Sequence, residues 1–225
     1  MRTARLAGLL YLVVAILGGF AELFVRAKVR GADDVADAIR DDLGLLKVAF
    51  AADLVAFTCF LLVGIALYAL FRDVNRTAAV AMLTLNAVSV AIQCLNMVNQ
   101  AGAVIAAQRG ADELAVLFLD LHGVGYSVAQ IFFGAWLVPL GYLVVRSGSV
   151  PRGFGYALVA GGVGYVAGFA VELAAPEADA LSTTLGMMGG LSEIAFLVWL
   201  LAKGAEGIAP VLRAREPETH PVTQL

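Results

Sequence analysis

The chain has 225 residues, of which 61% are apolar and only 15% charged, with a net charge of −3 and a mean hydropathy of +0.88. Soluble domains hold about 25% charged residues and about 45–50% apolar ones even with glycine counted. A soluble globule, a nucleic-acid binder and a disordered chain are therefore excluded, and an integral membrane protein remains.

A bilayer core asks for about 20 mostly apolar residues per helix. Six stretches meet this, at roughly 6–25, 47–71, 77–107, 114–145, 153–173 and 181–202. Their length suits helices and not the alternating strands of an outer-membrane barrel. The expected fold is all-α, a polytopic bundle of six transmembrane helices spanning 1–207. Arg2 and Arg5 before the first apolar run resemble a signal peptide, but five further spans favour a retained helix. Cys59 and Cys94 lie inside apolar runs and read as packing residues.

Six spans put both termini on one side. That side carries nine Lys and Arg residues and the other six, five of which fall in the single loop 26–46 and its edge. In that loop Asp33, Asp34, Asp37, Asp41 and Asp42 offset them. The positive-inside rule then places both termini in the cytoplasm. Tyr68, Tyr142, Tyr156 and Trp199 fall near the same ends, as an aromatic belt would. Within the outer loop, Val35, Ala38, Ile39 and Leu43 recur at helical spacing between acids. This predicts a short amphipathic helix, lying on the membrane surface or covering an outward pocket. The segment 208–225 holds Pro210, Pro217 and Pro221 among charges and is expected to be a disordered cytoplasmic tail.

Gly164 with Gly168, and Gly186 with Gly190, form small-xxx-small pairs suited to close helix packing. Pro139 interrupts the long fourth span and should bend it.

Ionisable groups at membrane depth are costly and tend to mark function. Here they are Glu22, Asp53, Asp120, His122, Glu172 and Glu193. At 1.5 Å per residue they sit about 2–18 Å below the outer surface, whereas the inner halves of the spans carry almost none. This one-sidedness predicts an outward pocket lined by Glu22, Asp53, Asp120, His122 and Glu193, with Gln100 and Tyr126 as hydrogen-bond partners. It argues against an ion pore, which needs polar groups along its whole path. Asn86, Gln93 and Gln100 recur every seven residues on span three, with Asn96 beside them, and His122, Tyr126 and Gln130 share a face of span four. The expected pairing is Gln100 with His122, Asn96 with Tyr126 and Gln93 with Gln130. Such layers serve as interhelical glue or as a ligand-lining wall.

His122 and His220 are the two histidines, and the second is in the tail, so paired-histidine haem is excluded. No HExxH or CxxC spacing occurs, which disfavours a metal site; any other cofactor is left open. The expected activity is binding or sensing of a small molecule, lipid or ion. The alternatives are an embedded enzyme using His122 and a carboxylate for proton transfer, a transporter, or a purely structural protein. The expected partner is the bilayer, not nucleic acid.

The chain also carries distinctive polar and Gly/Pro punctuation. It includes Glu22 with Val25-Arg26, Ala52-Asp53-Leu54, Val74-Asn75-Arg76, and Leu119-Asp120-Leu121-His122-Gly123-Val124-Gly125-Tyr126. Further on come Pro139-Leu140-Gly141-Tyr142, Pro151-Arg152, Glu193 and Trp199-Leu200-Leu201-Ala202-Lys203-Gly204. From Arg5 to Gly204 this resembles the bacterial membrane family called domain of unknown function 4386. The loop 27–46 departs most from it. The resemblance implies a multi-span bacterial membrane protein without an assigned activity and carries over no catalytic residues; the membrane expected for the bundle is the bacterial inner membrane.

Overall fold

The structure, a computed structural model, describes residues 2–203; the predicted tail at 208–225 lies outside them. Among the described residues there are seven helices and no strand. Helix α1 runs as an α-helix over Arg2–Gly19, a π-helix over Phe20–Arg26 and an α-helix again over Ala27–Arg30. The others are α2 (Val35–Asp41), α3 (Leu43–Phe71), α4 (Arg76–Gln108), α5 (Asp112–Ser147), α6 (Arg152–Ala174) and α7 (Asp179–Lys203). All but α2 are long and apolar enough to cross a membrane. In hydrocarbon every backbone N–H and C=O must be satisfied within the segment, and an unbroken helix does this.

The helix ends follow local chemistry. Asn75 caps α4 by accepting from the Ala78 N–H at 3.0 Å, and Asp34 caps α2 by accepting from the Asp37 N–H at 2.9 Å. Gly148 ends α5 at φ +65, in the left-handed region where a side chain is penalised.

The six long helices form a ring. Each packs on its neighbour in sequence, and α7 closes back on α1. The closure is tightest near the chain ends, where a Cβ added at Gly8 would lie 3.0 Å from Leu201. Phe24, Leu95 and Leu173 point out of the ring, as lipid-facing residues do.

Small residues bring the later helices close. A Cβ at Gly134 would lie 2.5 Å from the Gly162 carbonyl, and one at Gly141 2.5 Å from that of Gly155, which locks α5 on α6. On the other side of α6, Gly164 and Gly168 face the Leu185 and Ser182 carbonyls of α7. The predicted Gly186–Gly190 pair does not take part. Gly186 has nothing within 4 Å of an added Cβ and Gly190 only the Tyr165 hydroxyl at 3.6 Å, because both face open space inside the ring.

The core divides in two. Near the chain ends, Phe60, Leu67, Phe71, Trp136, Leu140, Phe196 and Leu200 form a large apolar cluster. At the opposite end, which carries α2, a smaller cluster joins Val25, Val29, Ile39, Leu46, Ala103 and Leu119. Ala36 and Ile39 of α2 are buried in it, so α2 is docked on protein across the ends of α4 and α5. Arg40 fastens it there, donating to Asp112 at 2.5 Å, to Asp37 and to the Ala107 carbonyl at 3.2 Å. The hydrogen bonds it donates to Asp112 and Asp37 hold the Arg40 guanidinium above its ordinary pKa.

One boundary needs correction. The first span was expected to end at 25, leaving Arg26 in the loop; the helix in fact continues to Arg30 and Arg26 is inside it.

Candidate functional site

A polar layer separates the two apolar clusters, and the π-helical turn of α1 builds its centre. In this turn the Ala27 N–H bonds to the Glu22 carbonyl, five residues back. Such segments are rare and often occur at functional sites, because they re-aim the side chains they carry. Here they carry Glu22 and Arg26.

Arg26 is 2% exposed and Asp53, on α3, is 1% exposed. The guanidinium donates to both Asp53 oxygens, at 2.5 and 3.4 Å, to Glu22 Oε2 at 2.6 Å and to Gln100 Oε1 at 3.0 Å. Glu22 also accepts from Arg30 at 2.6 Å. The four ionic groups alternate in sign from the buried Asp53 outward to the half-exposed Arg30, so the cluster is electrically balanced. A planar fork that spends its donors on two carboxylates and an amide satisfies the demands of a buried charge. Gln100 adds a second tie, from its amide to the Leu46 carbonyl at 3.4 Å.

The α4–α5 seam lies beside this cluster and differs in register from the expected layers. Asn96 donates to the His122 backbone carbonyl at 2.9 Å, and His122 Nδ1 lies 3.4 Å from the Asn96 carbonyl. Gly125 makes the approach possible, since an added Cβ would strike the Asn96 side chain. The expected Asn96–Tyr126 and Gln100–His122 pairs are thus replaced by side chain–backbone bonds and by the tie from Gln100 to Arg26. Nε2 of His122 and Nε2 of Gln93 are buried without a partner among the described residues.

Deeper in the ring, Glu193 of α7 accepts from the Tyr11 hydroxyl and, at 3.1 Å, from the Tyr165 hydroxyl. It has no salt-bridge partner among the described residues. Glu193 lies roughly 20 Å along α7 from its start, at 1.5 Å per residue.

Between these features is a cavity of about 320 Å³ to which all six long helices contribute. Its ceiling is the polar cluster, with Glu22, Arg26, Asp53 and Gln93. Its walls are apolar or aromatic, with Val14, Phe57, Phe60, Phe133 and Ile194, and Glu193, Tyr11 and Tyr165 complete it. A second space of about 600 Å³ adjoins it between α1 and α5–α7. The two share Glu22, Leu23, Tyr126 and Tyr165. The second space is more polar, with Arg30, Ser127, Gln130, Glu172 and Thr183 on its walls; Ser127 donates to Glu172 at 2.8 Å.

Of the residues singled out in the sequence, Glu22, Asp53, Gln93, Tyr126 and Glu193 border the cavity. Gln100 is one step behind it, bonded to Arg26. His122 is buried in the α4–α5 seam and does not line it. Asp120 is exposed and lines neither space: two residues from His122 on a regular helix, it points to another face. Arg26, Tyr11 and Tyr165 were not foreseen. For Arg26 a signal existed, an acid four residues earlier on the same helix. Among the described residues no three His, Cys, Asp or Glu side chains gather as metal ligands would.

The ring of six long apolar helices, with charge and a cavity at its centre, defines a multi-pass membrane protein. Its family can be stated as well: the chain belongs to the family described as domain of unknown function 4386 (DUF4386), which it matches over residues 6–204. No curated protein and no solved structure matches it.

Proposed function

We propose that this protein binds a small amphiphilic molecule inside the ring. The observation that carries this reading is the two-zone cavity. A polar antechamber with Arg30, Gln130, Glu172 and Thr183 leads to a chamber with largely apolar and aromatic walls. Ligand sites are typically concave, mostly apolar and fitted with a few placed polar groups, and the chamber falls at the low end of their usual size of about 300–1,000 Å³. A polar head in the antechamber and a short apolar body beyond it would match both zones. Glycines support the reading, since Gly18, Gly19 and Gly186 leave an added Cβ with nothing to touch, space that a packing helix would have filled.

We further propose that the membrane is the bacterial inner membrane with both termini cytoplasmic, which turns the antechamber toward the outer leaflet. The support is the Lys and Arg bias of the short loops. A fluorescent-protein fusion at the C-terminus should glow and a phosphatase fusion there should be silent; the reverse result overturns the orientation.

The ligand is tested by native mass spectrometry of the gently purified protein. The expected spectrum carries a bound species of small mass, lost when Gly190→Leu fills the chamber while the helical circular dichroism is unchanged. A spectrum of the bare chain alone, with no small amphiphile able to raise its unfolding temperature, would overturn the reading.

A further inference from the structure

The acids of the chamber are unevenly partnered. At its ceiling Glu22 is matched by Arg26 and Arg30, and Asp53 by Arg26. Glu193 has only two neutral phenols, from Tyr11 and Tyr165. Two hydroxyl donors spread a carboxylate's charge and do not cancel it, and an uncompensated charge in an apolar interior is costly. Glu172 at the antechamber wall accepts from the Ser127 hydroxyl and adds a second acid on the way in.

The walls around this carboxylate are rich in aromatic rings. Phe57, Phe60, Tyr126 and Phe133 line the same chamber as Glu193, Tyr11 and Tyr165. Phe60 stands centrally, 6.0 Å from the Tyr11 ring and 5.7 Å from Phe133, and Tyr126 lies 6.3 Å from Phe133. Ring faces carry partial negative charge and attract a cation held within about 6 Å. A carboxylate with no cation of its own, set in a chamber of such rings, is complementary to an organic cation. A hard metal ion is a poorer match. Ca²⁺ takes about 6–8 oxygen ligands, and the oxygens gathered at Glu193 are its own two and two phenols.

Resting on the reading of the cavity as a ligand site, we propose that its ligand is an organic cation. This is an alkylammonium-type amphiphile whose charged nitrogen sits against Glu193 within the aromatic wall. Glu193 supplies the counter-charge, and Tyr11 and Tyr165 hold its carboxylate in place.

Three probes of one chain length separate the possibilities: hexyltrimethylammonium, hexanol and hexanoate, titrated calorimetrically into the full chain in a neutral detergent. The expected result is binding of the cation about tenfold or more tighter than of the alcohol, with the carboxylate weakest. Glu193→Gln should remove that preference, so that the variant binds the cation no more tightly than hexanol. Equal binding of hexanol and the cation by the native chain would overturn the cationic ligand and leave the cavity reading standing. Binding of none of the three would overturn both. A cation preference that survives Glu193→Gln would overturn the role of Glu193. The probe comparison on the native chain decides the ligand class even if the variant does not fold.

Discussion

Arg26 and Glu193 face the same cavity and handle buried charge in opposite ways. Arg26 sits in a balanced cluster, with Asp53, Glu22 and Gln100 on its donors. Glu193 has no cation beside it among the described residues and receives only hydroxyls. The first arrangement ties α1 to α3 and α4 and has no need of a ligand; the second is incomplete by itself. The contrast predicts that stability resides in Arg26 and ligand affinity in Glu193. Its hardest test is Arg26→Ala, which leaves Asp53 buried with no cation. Removing one partner of a buried pair costs about 3–5 kcal/mol, so the unfolding midpoint in denaturing detergent should fall sharply. Replacing both partners with apolar residues, Arg26→Met with Asp53→Leu, should recover most of the loss. A midpoint unmoved by Arg26→Ala would break the comparison.

That cluster also shows where sequence reasoning stops. The six spans were legible because apolar runs of helical length have one stable form in a bilayer. The polar face of span three was legible because Gln93 and Gln100 repeat at a helical period, and Gln93, Asn96 and Gln100 are all buried. Arg26 was hidden because an arginine after an apolar run reads as a loop cation, and only a partner elsewhere in the chain draws it inside. That partner, Asp53, is 27 positions away. Tyr11 and Tyr165 have no periodicity to announce them and become meaningful only when α1, α6 and α7 converge on Glu193. Asp120 was placed by depth alone, and depth does not fix the angle around a helix axis.

Glycine substitutions sharpen the comparison at the next level. Gly125 lies in the closed region, where a Cβ meets Asn96. Gly125→Ala should displace Asn96 from the His122 carbonyl and cost about 1–3 kcal/mol as overpacking. Gly190 borders the open chamber, where the nearest atom to a Cβ is the Tyr165 hydroxyl at 3.6 Å. Gly190→Ala should be neutral or stabilise by up to about 1 kcal/mol, since alanine favours helix over glycine. Equal losses at both sites would mean that the chamber is as tightly packed as the seam.

Glu193→Gln should change stability by less than about 1 kcal/mol, because no cation is orphaned and the amide can still accept from one tyrosine and donate to the other. The same unfolding assay measures it. A loss as large as that of Arg26→Ala would make Glu193 a structural partner and weaken its assignment to a ligand.

The smallest effect is expected at Arg40, and it isolates what makes Arg26 special. Arg40 lies 2.5 Å from Asp112, the same separation as Arg26 from Asp53. The difference lies in the surroundings, since the Arg40 and Asp112 side chains are 34% and 51% exposed and those of Arg26 and Asp53 3% and 2%. Water and salt screen an exposed pair, and many such pairs contribute nothing measurable. Arg40→Ala should therefore shift the midpoint little, and 1 M salt, where the screening length is about 3 Å, should remove even that shift. Arg26→Ala should keep its large loss in the same salt. With this pair distance equal, the gap between the two responses reflects the burial of Arg26 and its further bonds to Glu22 and Gln100, and a salt-insensitive loss at Arg40 would show instead that α2 is held as firmly as the centre of the ring.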